Sequence, residues 1–175
     1  MKRKKPRVFL TSDTFFGRHL SAVERGFENT EDMEDTMIDL WNETVEDTDV
    51  VYHLGNFAWD PISAETAINF LNGKIYFVAG KHDTFLPTIS LVKTGVHTLY
   101  TNQIGTMKDQ NFVFTHWPML DWPGKEDGFM QFHAGETPTN ITQQRINVNC
   151  KNWGLKPVEL DTILDIVKIT KQNTK

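Results

Sequence analysis

The sequence predicts a layered α/β domain on three grounds: short apolar runs of strand composition, segments of helical periodicity between them, and small polar residues that close each run. The chain has 175 residues and a 39% hydrophobic content, enough to bury one substantial core. Residues 1–175 therefore read as a single domain, with 1–6 as a basic lead-in.

Val8-Phe9-Leu10 has strand composition and stops at Thr11-Ser12-Asp13. Asp13 thus falls in a loop at a strand's carboxyl end, where α/β folds place their chemistry. From Asn29 the sequence turns helical, with Thr30 as the expected N-cap and Glu31 and Asp32 in the first turn. Met33, Met37, Leu40, Trp41 and Val45 are spaced for one buried face. Residues 50–54 read as a second strand ending at Gly55-Asn56. Asp60-Pro61 opens a helix through Ile68 and Leu71, with Gly73 as its C′ residue. Residues 74–79 give a third strand ending at Gly80-Lys81-His82-Asp83. This βαβαβ order puts three strand ends along one edge, where function is to be sought.

The second half reads as richer in hairpins, with strands at 97–102, 105–107 and 112–115, a turn at 108–111, and His116 at the end of the last strand. Residues 117–140 carry three glycines and three prolines and form a loop region too long for an idle connector. Ile146-Asn147-Val148 returns to strand, and Pro157 starts a last helix through Leu160, Ile163, Leu164 and Val167.

The net charge of −5 opposes a protein that must hold a nucleic-acid backbone by counterion release. The single cysteine, Cys150, reads as a small filler and fits a reducing, cytoplasmic setting. The apolar run behind the N-terminal lysines is too short to span a membrane, so no membrane partner is expected.

Four segments carry a resemblance: Thr11-Ser12-Asp13-Thr14-Phe15-Phe16-Gly17, Val51-Tyr52-His53-Leu54-Gly55-Asn56-Phe57, Gly80-Lys81-His82-Asp83 and Thr115-His116-Trp117-Pro118. In order, spacing and position at strand ends they resemble the signature of the calcineurin-like metallophosphoesterases, small bacterial and phage members included. That family reads Asp-x-His, Gly-Asp, Gly-Asn-His-Asp, Ser/Thr-His-x-Pro and Gly-His-x-His. The resemblance implies a four-layer α/β sandwich with two mixed β-sheets flanked by helices.

Family chemistry clamps a phosphate between two cations about 3.5–4 Å apart, held by carboxylate, imidazole and amide ligands. By resemblance Asp13 matches the first metal ligand, but Phe15 stands in place of its histidine partner. Asn56 stands in place of the bridging aspartate, and Lys81 in place of the ligand asparagine, where a protonated amine cannot coordinate. In Phe132-His133-Ala134-Gly135-Glu136-Thr137 the best register sets Gly135 and Thr137 at the family's ligand positions, and His133 beside them. Asp13 and Lys81 are expected to pair in place of the metals.

By the same resemblance His82 and Asp83 match the catalytic histidine and the aspartate that orients it, and His116 a metal ligand; as a bland alternative, His82 is only a loop histidine. His53 and His97 read as core or surface residues, and Arg18 and His19 lie close enough in sequence to reach the pocket. The leading expectation is a catalytically inactive homologue that takes no cofactor and binds a protein or a phosphate-bearing ligand, with Lys81, Arg18 and Asn56 as ligand contacts. One alternative is an active enzyme with a reduced site, Asp13, His116 and His133 holding Mn²⁺ or another divalent metal. Another is a phage structural or host-interaction protein whose 117–140 region, with Trp117, Met119, Leu120 and Trp122, meets a protein partner.

Overall fold

Consecutive apolar residues in the early strands require burial on both faces of a sheet, and the chain supplies a core on each. The computed structural model describes residues 5–84, 99–100, 102–107, 110–135 and 144–173. Strands β1 (Val8–Thr11), β2 (Val50–His53), β3 (Lys74–Val78) and β4 (Leu99–Tyr100) run parallel, and β9 (Val158–Glu159) adds antiparallel to β1, in the order β4-β3-β2-β1-β9. The second sheet has the order β5-β6-β7-β8, from β5 (Asn102–Met107), β6 (Gln110–Thr115), β7 (Met130–His133) and β8 (Arg145–Asn147). Its first pair is antiparallel and the next two are parallel. Two mixed sheets flanked by helices are thus the architecture, as expected.

Strand alternation sorts the side chains between the two cores. Phe9, Val51, Ile75 and Phe77 face the helices α1 (His19–Glu24), α2 (Thr30–Thr44) and α3 (Pro61–Phe70), joining Met33, Met37, Trp41 and Ile68. Leu10, Leu54 and Val78 face the other sheet and meet Phe112, Phe114, Phe132 and Ile146. Helix α4 (Leu160–Asn173) adds Leu160, Ile163 and Val167 to this inter-sheet core. Tyr52 stacks on Phe114 with ring centroids 4.7 Å apart, a direct contact between the sheets. Cys150 is fully buried in the helix-side core, as a filler should be.

Several boundaries differ from the sequence reading. The N-cap of α2 is Asn29, whose side chain accepts from the Asp32 amide, so Thr30 is the first helical residue. Asp60 caps α3 as the Asp-Pro pair requires, but the helix ends at Phe70 with Leu71 as C-cap, leaving Gly73 one residue beyond C′. Pro157 precedes the short strand β9 rather than the last helix, because pairing with β1 claims Val158 and Glu159 first. β6 begins two residues early, at Gln110; the expected strand at 97–102 contains β4 at Leu99–Tyr100 and the first residue of β5, and β5 runs on through the expected strand at 105–107. The long loop region contains β7, which pairs in parallel with β6, and α1 lies where no helix was expected. His97, Glu136 and Thr137 lie outside the described residues, as do positions 108 and 109 of the expected turn.

Candidate functional site

The carboxyl ends of β1, β2 and β3 and the ends of β6 and β7 converge, so five loops surround Asp13. The loop after β1 is strained: Asp13 and Phe15 take φ of 56° and 51°, and Asn56, in the loop after β2, also takes 56°. Left-handed backbone at a bulky residue such as Phe15 costs on the order of 1–3 kcal/mol and persists only where the surroundings enforce it. The enforcement is visible: the Asp13, Phe15 and Phe16 amides donate to the carbonyls of Gly55, Asn56 and Phe57 at 2.9, 3.0 and 3.0 Å. Gly55 and Gly80 allow the neighbouring loops to touch, since a Cβ on Gly55 would lie 2.6 Å from the Gly80 amide nitrogen and from His116 Nδ1.

Asp13 is 3% exposed, and both of its carboxylate oxygens accept from neutral donors. Oδ1 accepts from Asn56 Nδ2 at 2.8 Å, and Oδ2 accepts from Ser12 Oγ at 2.8 Å and from the Gly135 amide at 2.9 Å. Asn56 must present its NH₂ to that acceptor, and its Oδ1 accordingly turns to the His82 amide at 3.3 Å. Lys81 is exposed and makes no ion pair with Asp13, which corrects the expected pairing. The physical reason is desolvation: burying the ammonium would cost more than exchanging three hydrogen bonds that are already good.

Asp83 is 1% exposed and takes three backbone amides, those of Asn56 at 2.6 Å, Gly80 at 2.7 Å and Phe57 at 2.8 Å. Burial raises its pKa, and the three amides act against that shift. With both oxygens spent on the backbone, Asp83 ties the β2 loop to the β3 loop and does not orient the His82 ring by a hydrogen bond.

The histidines fall into distinct environments. His53 is wholly buried: its Nδ1 accepts from the Gly55 amide, so Nε2–H donates to Thr14 Oγ1 at 2.9 Å, and Thr14 donates to the Phe57 carbonyl at 2.7 Å. Burial lowers its pKa to about 3. His116 Nδ1 donates to the Leu54 carbonyl at 2.8 Å, which fixes the tautomer and leaves Nε2 as an acceptor. His133 Nδ1 donates to the Ala134 carbonyl at 2.8 Å, and burial lowers its pKa. His82 is partly exposed, and burial, then the Lys81 and Arg18 charges, lower its pKa. His19 is exposed on α1.

His82 lies in an aromatic and cationic rim. Its ring sits 5.6 Å from Phe15 and 5.2 Å from Trp59, and the Arg18 guanidinium lies over both of those rings, at 4.8 and 5.3 Å. Trp117, on the His116 ring at 4.6 Å, and Leu120 are exposed, whereas Trp122 is buried with its indole N–H bound to the Phe129 carbonyl. Trp122 therefore packs the loop and is not a surface anchor.

Arg25 escaped the sequence reading. Its guanidinium donates to the carbonyls of Asp13 at 2.6 Å and Thr14 at 2.7 Å, with the sulfurs of Met33 and Met37 at 3.3 Å, so it braces the strained loop from the helix side. Only an arginine in sequence marks it, since nothing in the local pattern predicts that it reaches back to residue 13. Arg25→Ala should lower stability by about 2 kcal/mol, and Arg25→Lys should recover only part of it because a single ammonium nitrogen replaces the two guanidinium nitrogens that each meet one carbonyl. Thermal unfolding of the two variants measures this.

Asp13 offers no oxygen free of a donor, and among the described residues no three of His, Cys, Asp and Glu are grouped to hold an ion. His116 and His133 each donate Nδ1–H to a backbone carbonyl, which leaves Nε2 as a lone pair in the manner of a ligand histidine.

No family model matches the chain. It is 29% identical over 175 residues to the uncharacterized protein MJ1445 of Methanocaldococcus jannaschii, spanning 93% of this chain and 92% of that protein. Among solved structures it is similar to AQ665 of Aquifex aeolicus, a protein of unknown function, with a TM-score of 0.73 at 17% identity over 93% of this chain and 100% of that one. An archaeal phosphodiesterase gives a TM-score of 0.49 at 17% identity over 82% of each chain. The similarity to AQ665 shows that the two chains share a fold.

Proposed function

We propose that this chain is a non-hydrolytic relative of the calcineurin-like phosphoesterases that holds a phosphate-bearing ligand at Lys81, Arg18 and His82. The observation that carries the reading is the commitment of the Asp13 carboxylate to Asn56, Gly135 and Ser12. In a metal-dependent enzyme that carboxylate would face a cation, whereas here it holds three loops together and keeps the pocket floor formed.

The cations assigned to the ligand are Lys81, which is exposed, and Arg18, which is half-buried, although the chain as a whole carries −5. Lys81 supplies a mobile point charge, Arg18 a planar fork held over Phe15 and Trp59, and His82 a neutral ring that can donate one hydrogen bond.

Calorimetric titration of Mn²⁺ into metal-stripped protein tests the reading. No binding heat is expected at millimolar Mn²⁺, while inorganic phosphate should bind and lose affinity in Lys81→Ala. Tight Mn²⁺ binding that disappears in Asp13→Ala and His116→Ala would favour the second reading, an enzyme with a reduced site of Asp13, His116 and His133. One observation supports that second reading: the Leu54 carbonyl fixes His116 with its Nε2 lone pair available, the arrangement in which a ligand histidine is held.

A further inference from the structure

We propose that Trp59 is a stacking subsite for the planar ring of the bound ligand, which makes that ligand a mononucleotide by chemical class; this rests on the phosphate-binding reading above. Trp59 is 49% exposed, yet it is not a loose surface residue. Its amide donates to the Phe16 carbonyl at 2.7 Å, and the adjacent Ala58 bridges Phe16, so the backbone beneath the indole is fixed to the loop that carries Asp13 and Phe15. The ring touches His82 and the Arg18 guanidinium, the two groups assigned to the phosphate. About half of its surface still faces solvent.

A ligand that carries only a phosphate leaves this indole unused. One with a base one sugar away from its phosphate can lay the base on Trp59 while the phosphate meets Lys81 and Arg18, and every base has a π-face to offer. Two carboxylates lie near Gly17 and are held by other donors: Asp60 accepts from the Ile62 and Ser63 amides and from Ser63 Oγ, and Glu34 accepts from the Gly17 backbone. The acidic net charge argues for a single nucleotide over a polymer.

Binding of adenosine monophosphate and of ribose 5-phosphate to the full chain, followed by calorimetry, tests the subsite. The nucleotide should bind roughly tenfold tighter than the sugar phosphate, an advantage of the size that base stacking supplies. Trp59→Ala should erase that advantage, at the cost of a smaller loss for the sugar phosphate because Arg18 loses one of the two rings it lies over, and Trp59→Phe should keep most of it. Equal binding of the two probes to the native chain, or a Trp59→Ala variant that weakens both equally, would overturn the subsite and leave phosphate binding standing. If neither probe nor inorganic phosphate binds, both readings fall together.

Discussion

Replacing Asp83 with alanine is expected to lower the stability of the fold by about 4 kcal/mol, because it leaves three buried amides without an acceptor. The amides of Asn56, Gly80 and Phe57 lie 2.6 to 2.8 Å from its oxygens, and no solvent can replace a carboxylate that is 1% exposed. The raised pKa of Asp83 does not make the residue dispensable. It reports that the charged form is poorly solvated, whereas alanine removes the acceptor and keeps the donors. Urea unfolding should show a lower midpoint with an unchanged slope, since the surface exposed on unfolding is the same. Asp83→Asn should fall between the two, because its amide keeps one acceptor oxygen and turns an NH₂ toward at least one donor. A midpoint unaltered in Asp83→Ala would mean that the two loops hold together without the clamp.

Acid should weaken the native chain through His53. The unfolded chain binds a proton at this residue near the ordinary value of 6.5, whereas the folded chain resists it until about 3. A lowered folded pKa means that the stability contributed is complete above pH 6.5 and is lost as pH falls toward 3. Each unit in that interval costs on the order of 1 kcal/mol for one proton. His82 and His133, shifted in the same direction, steepen the profile. His53→Gln should be less stable at neutral pH, since it disturbs the contacts to Thr14 and Gly55, but its stability should fall with acid by about one proton less. Parallel pH profiles of the variant and the native chain would show that His53 does not titrate on unfolding.

The first half of the fold was legible because each element there announces itself locally. Parallel strands buried on both faces read as unbroken apolar runs, and Asp60-Pro61 marks a helix start by side-chain chemistry alone. β7 was not legible, since four residues within a glycine- and proline-rich stretch gain strand character only from pairing with β6. The site was legible in its members and less so in their bonds. Charge counting suggested that Asp13 and Lys81 would neutralise each other, but a carboxylate is satisfied by neutral N–H and O–H donors at lower desolvation cost. Those donors include a backbone amide 122 residues away, and no local pattern encodes that distance. Arg25 was missed for the same reason, because its acceptors are main-chain carbonyls and carry no residue identity.

The bonding of Asp13 has a consequence for how the pocket opens. A metal centre draws its loops together with a cation from the surroundings, and the loops slacken when that cation leaves. Here the fastening atoms belong to Ser12, Asn56 and Gly135, so they are part of the covalent chain and their supply never varies. Because Asn56 is also held through its amide by Asp83, no one loop can lift without releasing the next. The loops around Asp13 are therefore held or released as one cooperative unit, with its order inherited from folding.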